Sequence, residues 1–218
     1  MGIAAVVFDM DGVLIDSEPI WEQVRHDYVV LKGGRWQPDS QKKMMGMNTL
    51  EWSSYLADDL GVAEPAGKVA ADVIDLMADR YAHHVPLLPG AVEAVQRCAG
   101  SWKLGLASSS PATVIDLVLA KSGLLDLFTT VLSTEEVGRG KPAPDVYLTV
   151  AQRLGVDPKD CTAVEDSTNG LLSAHGAGMR LIAAPRPEFP PRPDVLALAD
   201  AVIGDLDQLT ADVVTGTA

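Results

Sequence analysis

Asp9 and Asp11 stand two residues apart at the end of the apolar run Ile3-Ala4-Ala5-Val6-Val7-Phe8. That run reads as a short parallel strand buried on both faces. A strand keeps residues i and i+2 on one side, so the two carboxylates converge on one centre if the strand persists that far. Gly12 then lets the chain turn sharply. In an open α/β sheet, ligands bind just beyond the carboxyl ends of the strands. Two carboxylates at such an edge repel each other and need a cation, a proton or several hydrogen-bond donors. Mg²⁺ suits them, being hard, oxygen-seeking and commonly held by one or two carboxylates together with a phosphate. A solvated Asp-rich turn has the same local sequence, so the pair gains meaning only from what the rest of the chain supplies.

Three further polar groups fall at or just past predicted strand ends. Leu104-Gly105-Leu106-Ala107 runs into Ser108-Ser109-Ser110-Pro111, where hydroxyls and free N–H groups at a helix start form an anion site. Ser110 reads as the cap of that helix, which leaves Ser108 free. Lys141, between Gly140 and Pro142, follows the third strand as either a phosphate-binding ammonium or a surface lysine. Thr162-Ala163-Val164 leads into Glu165-Asp166-Ser167, acids that complete a metal site or cap a helix.

The elements that must position these groups alternate. After Asp16-Ser17-Glu18-Pro19, a helix start, the pattern is helical to about Val85, with Ile20, Val24 and Tyr28 and then Val69, Val73, Ile74 and Met77 as apolar stripes. Gly33-Gly34 and Gly61 to Pro65 punctuate that block. From Pro86 onward the spacing predicts helices over 91–98, 111–122, 143–154 and 167–175. It predicts strands over 103–107, 131–132, 161–164, 181–183 and 201–203. The fold class is therefore α/β, a parallel sheet covered on both faces with a helical block after the first strand. The proline-rich stretch after Pro185 reads as an irregular connection.

Across 218 residues, 47% are hydrophobic, ample for a core. With 17 basic and 30 acidic residues the net charge is −13, which argues against sequence-independent nucleic-acid binding. Cys98 and Cys161 lack metal-ligand spacing, so a reduced cytoplasm is the expected setting. No run reaches membrane-spanning length and no signal peptide precedes the first strand. The expected partner is a small phosphorylated metabolite, with no nucleic acid and no membrane, and a monomer is preferred.

Taken together, Asp9-x-Asp11-Gly12-Val13, Ser108, Lys141 within Gly-Lys-Pro-Ala-Pro-Asp, and Glu165-Asp166 resemble, in order and spacing, the motifs of the haloacid dehalogenase-like hydrolase superfamily. Asp16-Ser17-Glu18-Pro19 and the lysine motif are most similar to β-phosphoglucomutase-like proteins and small sugar-phosphate phosphatases. The resemblance implies a Rossmann-like core over 1–15 and 87–218, a helical cap over 16–86, and Mg²⁺ as cofactor. It implies that Asp9 attacks phosphorus and that Asp11 serves as acid and then base. Asp9, the Asp11 backbone carbonyl and Asp166 would hold the metal, with Glu165 as a ligand or behind the ligands. Ser108, the Ser109 backbone and Lys141 would grip the phosphoryl group. Glu18 and Trp21, just after the first hinge, are the expected specificity contacts.

Asp11 distinguishes this pattern from dehalogenases, whose halide leaving group needs no proton. Receiver domains place their acceptor aspartate on a later strand and lack the helical block, which disfavours a non-enzymatic signalling module. Phosphonate hydrolases need a cap lysine, and nothing marks Lys32, Lys42, Lys43 or Lys68 as desolvated. A phosphosugar mutase is the main alternative. The resemblance would put a histidine at Trp21 and, from the run Gly46-Met47-Asn48-Thr49, an arginine at Thr49, and both departures favour a phosphatase. His26, His83, His84 and His175 are expected to be structural or solvent-exposed, and Trp21, Trp36 and Trp52 to pack rather than stack on a sugar.

Overall fold

β1 (Ala5–Phe8) is buried along its whole length and forms the middle of a sheet of six parallel strands. The computed structural model describes residues 2–45 and 47–217. The other strands are β2 (Lys103–Ser108), β3 (Thr130–Ser133), β4 (Cys161–Glu165), β5 (Arg180–Ala183) and β6 (Ala201–Val202), in the spatial order β3-β2-β1-β4-β5-β6. Alternate residues of β1 serve opposite faces. Val6 and Phe8 belong to one apolar cluster with Val95 and Ile115, while Ala5 and Val7 belong to another with Val146, Tyr147 and Leu171. Both faces are covered, which is why the strands read as continuous apolar runs rather than alternating ones.

Between β1 and the next strand the chain forms α1 (Glu18–Leu31), α2 (Ser40–Met44), α3 (Thr49–Ser54) with a π-helical turn at Tyr55–Asp59, α4 (Ala66–His83) and α5 (Ala91–Ala99). α4 starts without a side-chain cap, a contribution of about 1 kcal/mol forgone. It buries Val69, Val73, Met77 and Tyr81, each worth roughly 1.5–3 kcal/mol for an apolar side chain, so packing fixes this helix. On α1 the buried stripe is Trp21, Val24, Arg25, Tyr28 and Val29. It is rotated from the expected Ile20-Val24-Tyr28 line, because Trp21 offers more apolar surface and Ile20 is only partly covered.

The remaining helices are α6 (Ala112–Ser122), α7 (Asp145–Leu154), α8 (Thr168–Gly176), α9 (Pro193–Leu196) and α10 (Ala211–Thr215). The helical block meets the core where α4 packs on α6, where Lys121 Nζ donates to Ala82 O at 2.7 Å, and where Thr49 Oγ1 donates to Glu135 at 2.5 Å. Thr49 therefore faces the loop after β3; Gly46, the start of the run from which its position was judged, lies outside the described residues.

Candidate active site

The sheet order reverses between β1 and β4, and the candidate site sits past the carboxyl ends of these strands and their neighbour β2. Phe8 pairs with Leu106 on one side and Val164 on the other, so the next residue, Asp9, emerges between Ala107 and Glu165. The strand ends at Phe8, three residues short of Asp11, so strand geometry alone does not make the two carboxylates converge. Asp9 N still donates to Val164 O at 3.0 Å, but Asp11 lies in the following turn. Gly12 makes that turn at φ +80°, and a Cβ there would stand 2.0 Å from Asp166 Oδ2. The turn after β1 thus packs directly on the acid after β4. Gly12→Ala is expected to cut activity about 100-fold, the scale set by misplacing a reacting group by an ångström, with a smaller loss in a thermal melt. Wild-type kinetics in that variant would show that the contact between Gly12 and Asp166 has no role.

Lys141 is the hub of the site. Its Nζ donates to Asp9 Oδ1 (2.9 Å), Glu165 Oε1 (2.6 Å) and Ala107 O (3.1 Å), with almost no solvent access. Burial works against the ammonium, but Asp9 and Glu165 outweigh it and hold its pKa above the ordinary lysine value. Glu165 is fully occupied. Oε1 also accepts from Tyr147 OH at 2.8 Å, and Oε2 accepts from Asp166 N, Ser167 N and Ser167 Oγ at the start of α8. Gly170 lets it lie there, since a Cβ at that position would fall 1.9 Å from the carboxylate.

Asp11 is gripped from β2. Ser110 Oγ donates to Asp11 Oδ2 at 2.8 Å and Ser108 Oγ to the same oxygen at 3.1 Å, while Ser110 N donates to Ser108 Oγ at 3.0 Å. Asp11 Oδ1 is buried with no partner among the described residues. Ser110 is not a helix cap: α6 begins at Ala112 after Pro111, without a side-chain cap, and the Ser110 hydroxyl turns to Asp11 instead. The expectation for Ser110 fails because Pro111 itself takes the N-cap position with extended backbone, which leaves Ser110 one residue too early to cap the helix and frees its hydroxyl.

These groups open into a cavity of about 580 Å³, within the range of small-molecule sites. Asp9, Asp11, Ser109, Lys141 and Asp166 form its floor, and Glu18, Trp21, Arg25 and Trp52 form the facing wall from the helical block. Ser108 sits behind the floor, fully buried. The segment from Glu188 to Arg192 closes one side, so the proline-rich stretch is a cavity wall as well as a connection. Glu18 accepts from Gln41 Nε2 at 2.5 Å, and burial raises its pKa against the pull of Arg25. Arg25, absent from the sequence-level candidates, lies over the rings of Trp21 at 4.5 Å and Trp52 at 5.0 Å. Burial lowers its pKa to about 10, partly offset by Glu18 and Asp11. Its signal in the sequence was the i, i+7 spacing of Glu18 and Arg25 around Trp21 on one face of a helix. His83 is exposed and His26 packs edge-on to Trp36, so neither histidine reaches the cavity.

One oxygen each from Asp9, Glu165 and Asp166 lies within 4.8 Å of the others. Three buried carboxylates face one ammonium. Burial and then the Glu165 charge push both Asp9 and Asp166 well above the usual carboxylate range. An all-oxygen donor set short of positive charge fits a hard divalent cation. Because Lys141, Tyr147 and the α8 amides saturate Glu165, the oxygens left for such an ion belong to Asp9 and Asp166.

The family model for haloacid dehalogenase-like hydrolases matches residues 3–178, the span that contains every group on the cavity floor. The chain belongs to this family. It is similar to hexitol phosphatase B of Escherichia coli (strain K12), 38% identical over 220 residues covering 96% of this chain and 95% of that protein. Two solved structures share the fold, both at 22% identity. CbbY of Rhodobacter sphaeroides in complex with phosphate has a TM-score of 0.86, covering 97% of this chain and 99% of that one. β-Phosphoglucomutase of Clostridium difficile has a TM-score of 0.82, covering 96% and 94%. The haloacid dehalogenase-like fold accounts for the sheet order, and the chain is a hydrolase of this type.

Proposed function

We propose that this enzyme is a phosphatase for small phosphate monoesters, sugar or sugar-alcohol phosphates, working through a phosphoryl group carried on Asp9. The observation that carries the reading is the arrangement of two acids at one cavity floor. Asp9 is pinned by Lys141, and Asp11 is held on one oxygen by Ser108 and Ser110 while its other oxygen has no partner among the described residues. Phosphate-monoester hydrolysis is among the slowest uncatalysed reactions, so stabilising charge at phosphorus is the main task. Asp9 Oδ attacks phosphorus and the ester P–O bond breaks. Asp11 gives its proton to the departing alkoxide, then takes one from the water that attacks the aspartyl-phosphate, releasing phosphate and restoring Asp9. Lys141 and the Ser109 backbone hold the phosphoryl oxygens, while Ser108, behind the floor, holds Asp11. Asp9, Asp166 and the Asp11 carbonyl would hold Mg²⁺, which when bound neutralises charge on the phosphoryl group. Glu165 positions Lys141. The helical block, residues 16–86, acts as the cap that shuts out water, and the similarity to a hexitol phosphatase supports the substrate class. Cys98 and Cys161 are buried and unpaired, in keeping with the cytoplasm, and no described helix is long and apolar enough to cross a membrane.

A phosphosugar mutase is the second reading, favoured by the cation Arg25 in the cavity wall. Against it, Glu18 offsets that cation, Trp21 supplies no titratable group, and Thr49 bonds Glu135 outside the cavity. The test is release of phosphate from sorbitol 6-phosphate with Mg²⁺ and with excess chelator, beside β-glucose 1-phosphate plus a bisphosphate primer. Metal-dependent phosphate release is expected, with little glucose 6-phosphate. Equal rates under chelation would remove the metal from the mechanism, and rapid isomerisation without hydrolysis would make the enzyme a mutase.

A further inference from the structure

Glu18, Trp21 and Arg25 fall at i, i+3 and i+7 on α1, one face of the helix, and all three line the cavity opposite Asp9. The Arg25 side chain is more than nine-tenths buried, yet its Nε has no hydrogen-bond partner among the described residues. A buried guanidinium left unsatisfied costs stability. Its lodging over Trp21 and Trp52 repays only part of that, because contact with a ring face satisfies none of the in-plane donors. Glu18, on the same wall, is held from behind: Gln41, which does not line the cavity, donates to it through Nε2. The Arg25 donors and the Glu18 carboxylate thus stand on one wall of the cavity, facing the phosphoryl floor.

We propose that Arg25 is the specificity-determining residue of this hydrolase, donating to hydroxyl oxygens at the end of the substrate remote from phosphorus while Glu18 accepts from neighbouring hydroxyls. This deepens the phosphatase reading and rests on it. A neutral polyol both accepts and donates, so it satisfies Arg25 and Glu18 together. A carboxylate in the same place would gain from Arg25 but meet the Glu18 charge in a buried setting, where like charges repel strongly. The two Trp rings fix the plane of the guanidinium, so its fork is aimed before the substrate arrives.

The experiment compares kcat/KM for sorbitol 6-phosphate, 3-phosphoglycerate and p-nitrophenyl phosphate, with Mg²⁺, in wild type, Arg25→Gln, Arg25→Lys and Glu18→Gln, each checked by thermal melt. In Arg25→Gln the ratio for sorbitol 6-phosphate over p-nitrophenyl phosphate is expected to fall about 10- to 100-fold, the scale for losing a charged hydrogen bond. Arg25→Lys is expected to recover only part of that ratio, because it keeps the charge and loses the fork. If Arg25→Gln does not fold, Glu18→Gln decides: it is expected to raise the 3-phosphoglycerate to sorbitol 6-phosphate ratio about tenfold. Equal losses on sorbitol 6-phosphate and p-nitrophenyl phosphate would make Arg25 a packing residue and overturn the assignment. So would a wild-type preference for 3-phosphoglycerate. Wild-type enzyme inert toward all three esters would contradict the phosphatase reading itself, and this assignment with it.

Discussion

Asp9→Asn is expected to abolish turnover of every phosphate ester, a loss on the order of 10⁴-fold or more, because an amide cannot take the phosphoryl group. Asp11→Asn is expected to fail differently. Alkyl esters such as sorbitol 6-phosphate should slow by about 10² to 10⁴-fold, the range for a lost general acid. The first step with p-nitrophenyl phosphate should slow much less, since its leaving group departs without a proton. Neither variant should unfold the protein. In Asp11→Asn the new amide oxygen can still accept from Ser108 and Ser110. Asp9→Asn removes one of the buried charges that raise the energy of the site, so its melting temperature should hold or rise. Stopped-flow release of p-nitrophenolate separates the two cases. Full activity in Asp9→Asn would move the nucleophile elsewhere.

Lys141→Met combines a loss of activity with a loss of stability. Glu165 has no solvent access and Asp9 very little, and the lysine is the ammonium bonded to both. Breaking a buried pair by removing one partner costs about 3–5 kcal/mol. For a chain of this size each kcal/mol shifts the melting temperature by roughly 2–4 °C, so a drop on the order of 10 °C is expected. Adding Glu165→Gln removes one of the two stranded charges, but its single carbonyl oxygen can serve either Tyr147 or the Asp166 and Ser167 donors and not both. The double variant is therefore expected to regain part of the melting temperature and none of the turnover. Calorimetry and steady-state assays on the single and double variants measure this. An unchanged melting temperature in Lys141→Met would mean that the lysine serves phosphate alone and carries no structural charge.

The central strands β1, β2 and β4 were legible because they are buried on both faces, so Val6-Val7-Phe8, Leu104 to Ala107 and Ala163-Val164 appear as apolar runs that stop at a polar group. Asp9 and Asp166 were legible for the same reason, since a strand end fixes where the next side chain emerges. Lys141 lies eight residues past the end of β3 and was legible from its Gly-Lys-Pro motif instead, and it meets Asp9 in the structure. Ser110 was missed because a serine before a proline at a helix start is equally good as a cap, and only the fold shows that Pro111 takes the cap position itself. Arg25 was missed because an arginine at a stripe position reads as the polar face of an amphipathic helix. Its burial depends on Trp52, which reaches it from a different helix, α3. The wall at Glu188–Arg192 was hidden because a proline-rich segment carries no periodicity to indicate which side faces inward. Local pattern thus located the chemistry shared with the family, while the cavity wall depends on packing between distant segments.

The central claim is that Asp9 carries the phosphoryl group, and the most direct test is to catch it there. In Asp11→Asn the first step with p-nitrophenyl phosphate survives in part, while the base for the second step is gone, so the intermediate should accumulate. Rapid acid quench followed by peptide mass spectrometry is expected to show one phosphoryl group on the peptide containing Asp9, at Asp9 itself, and none in Asp9→Asn treated identically. Phosphate on any other residue would contradict the account.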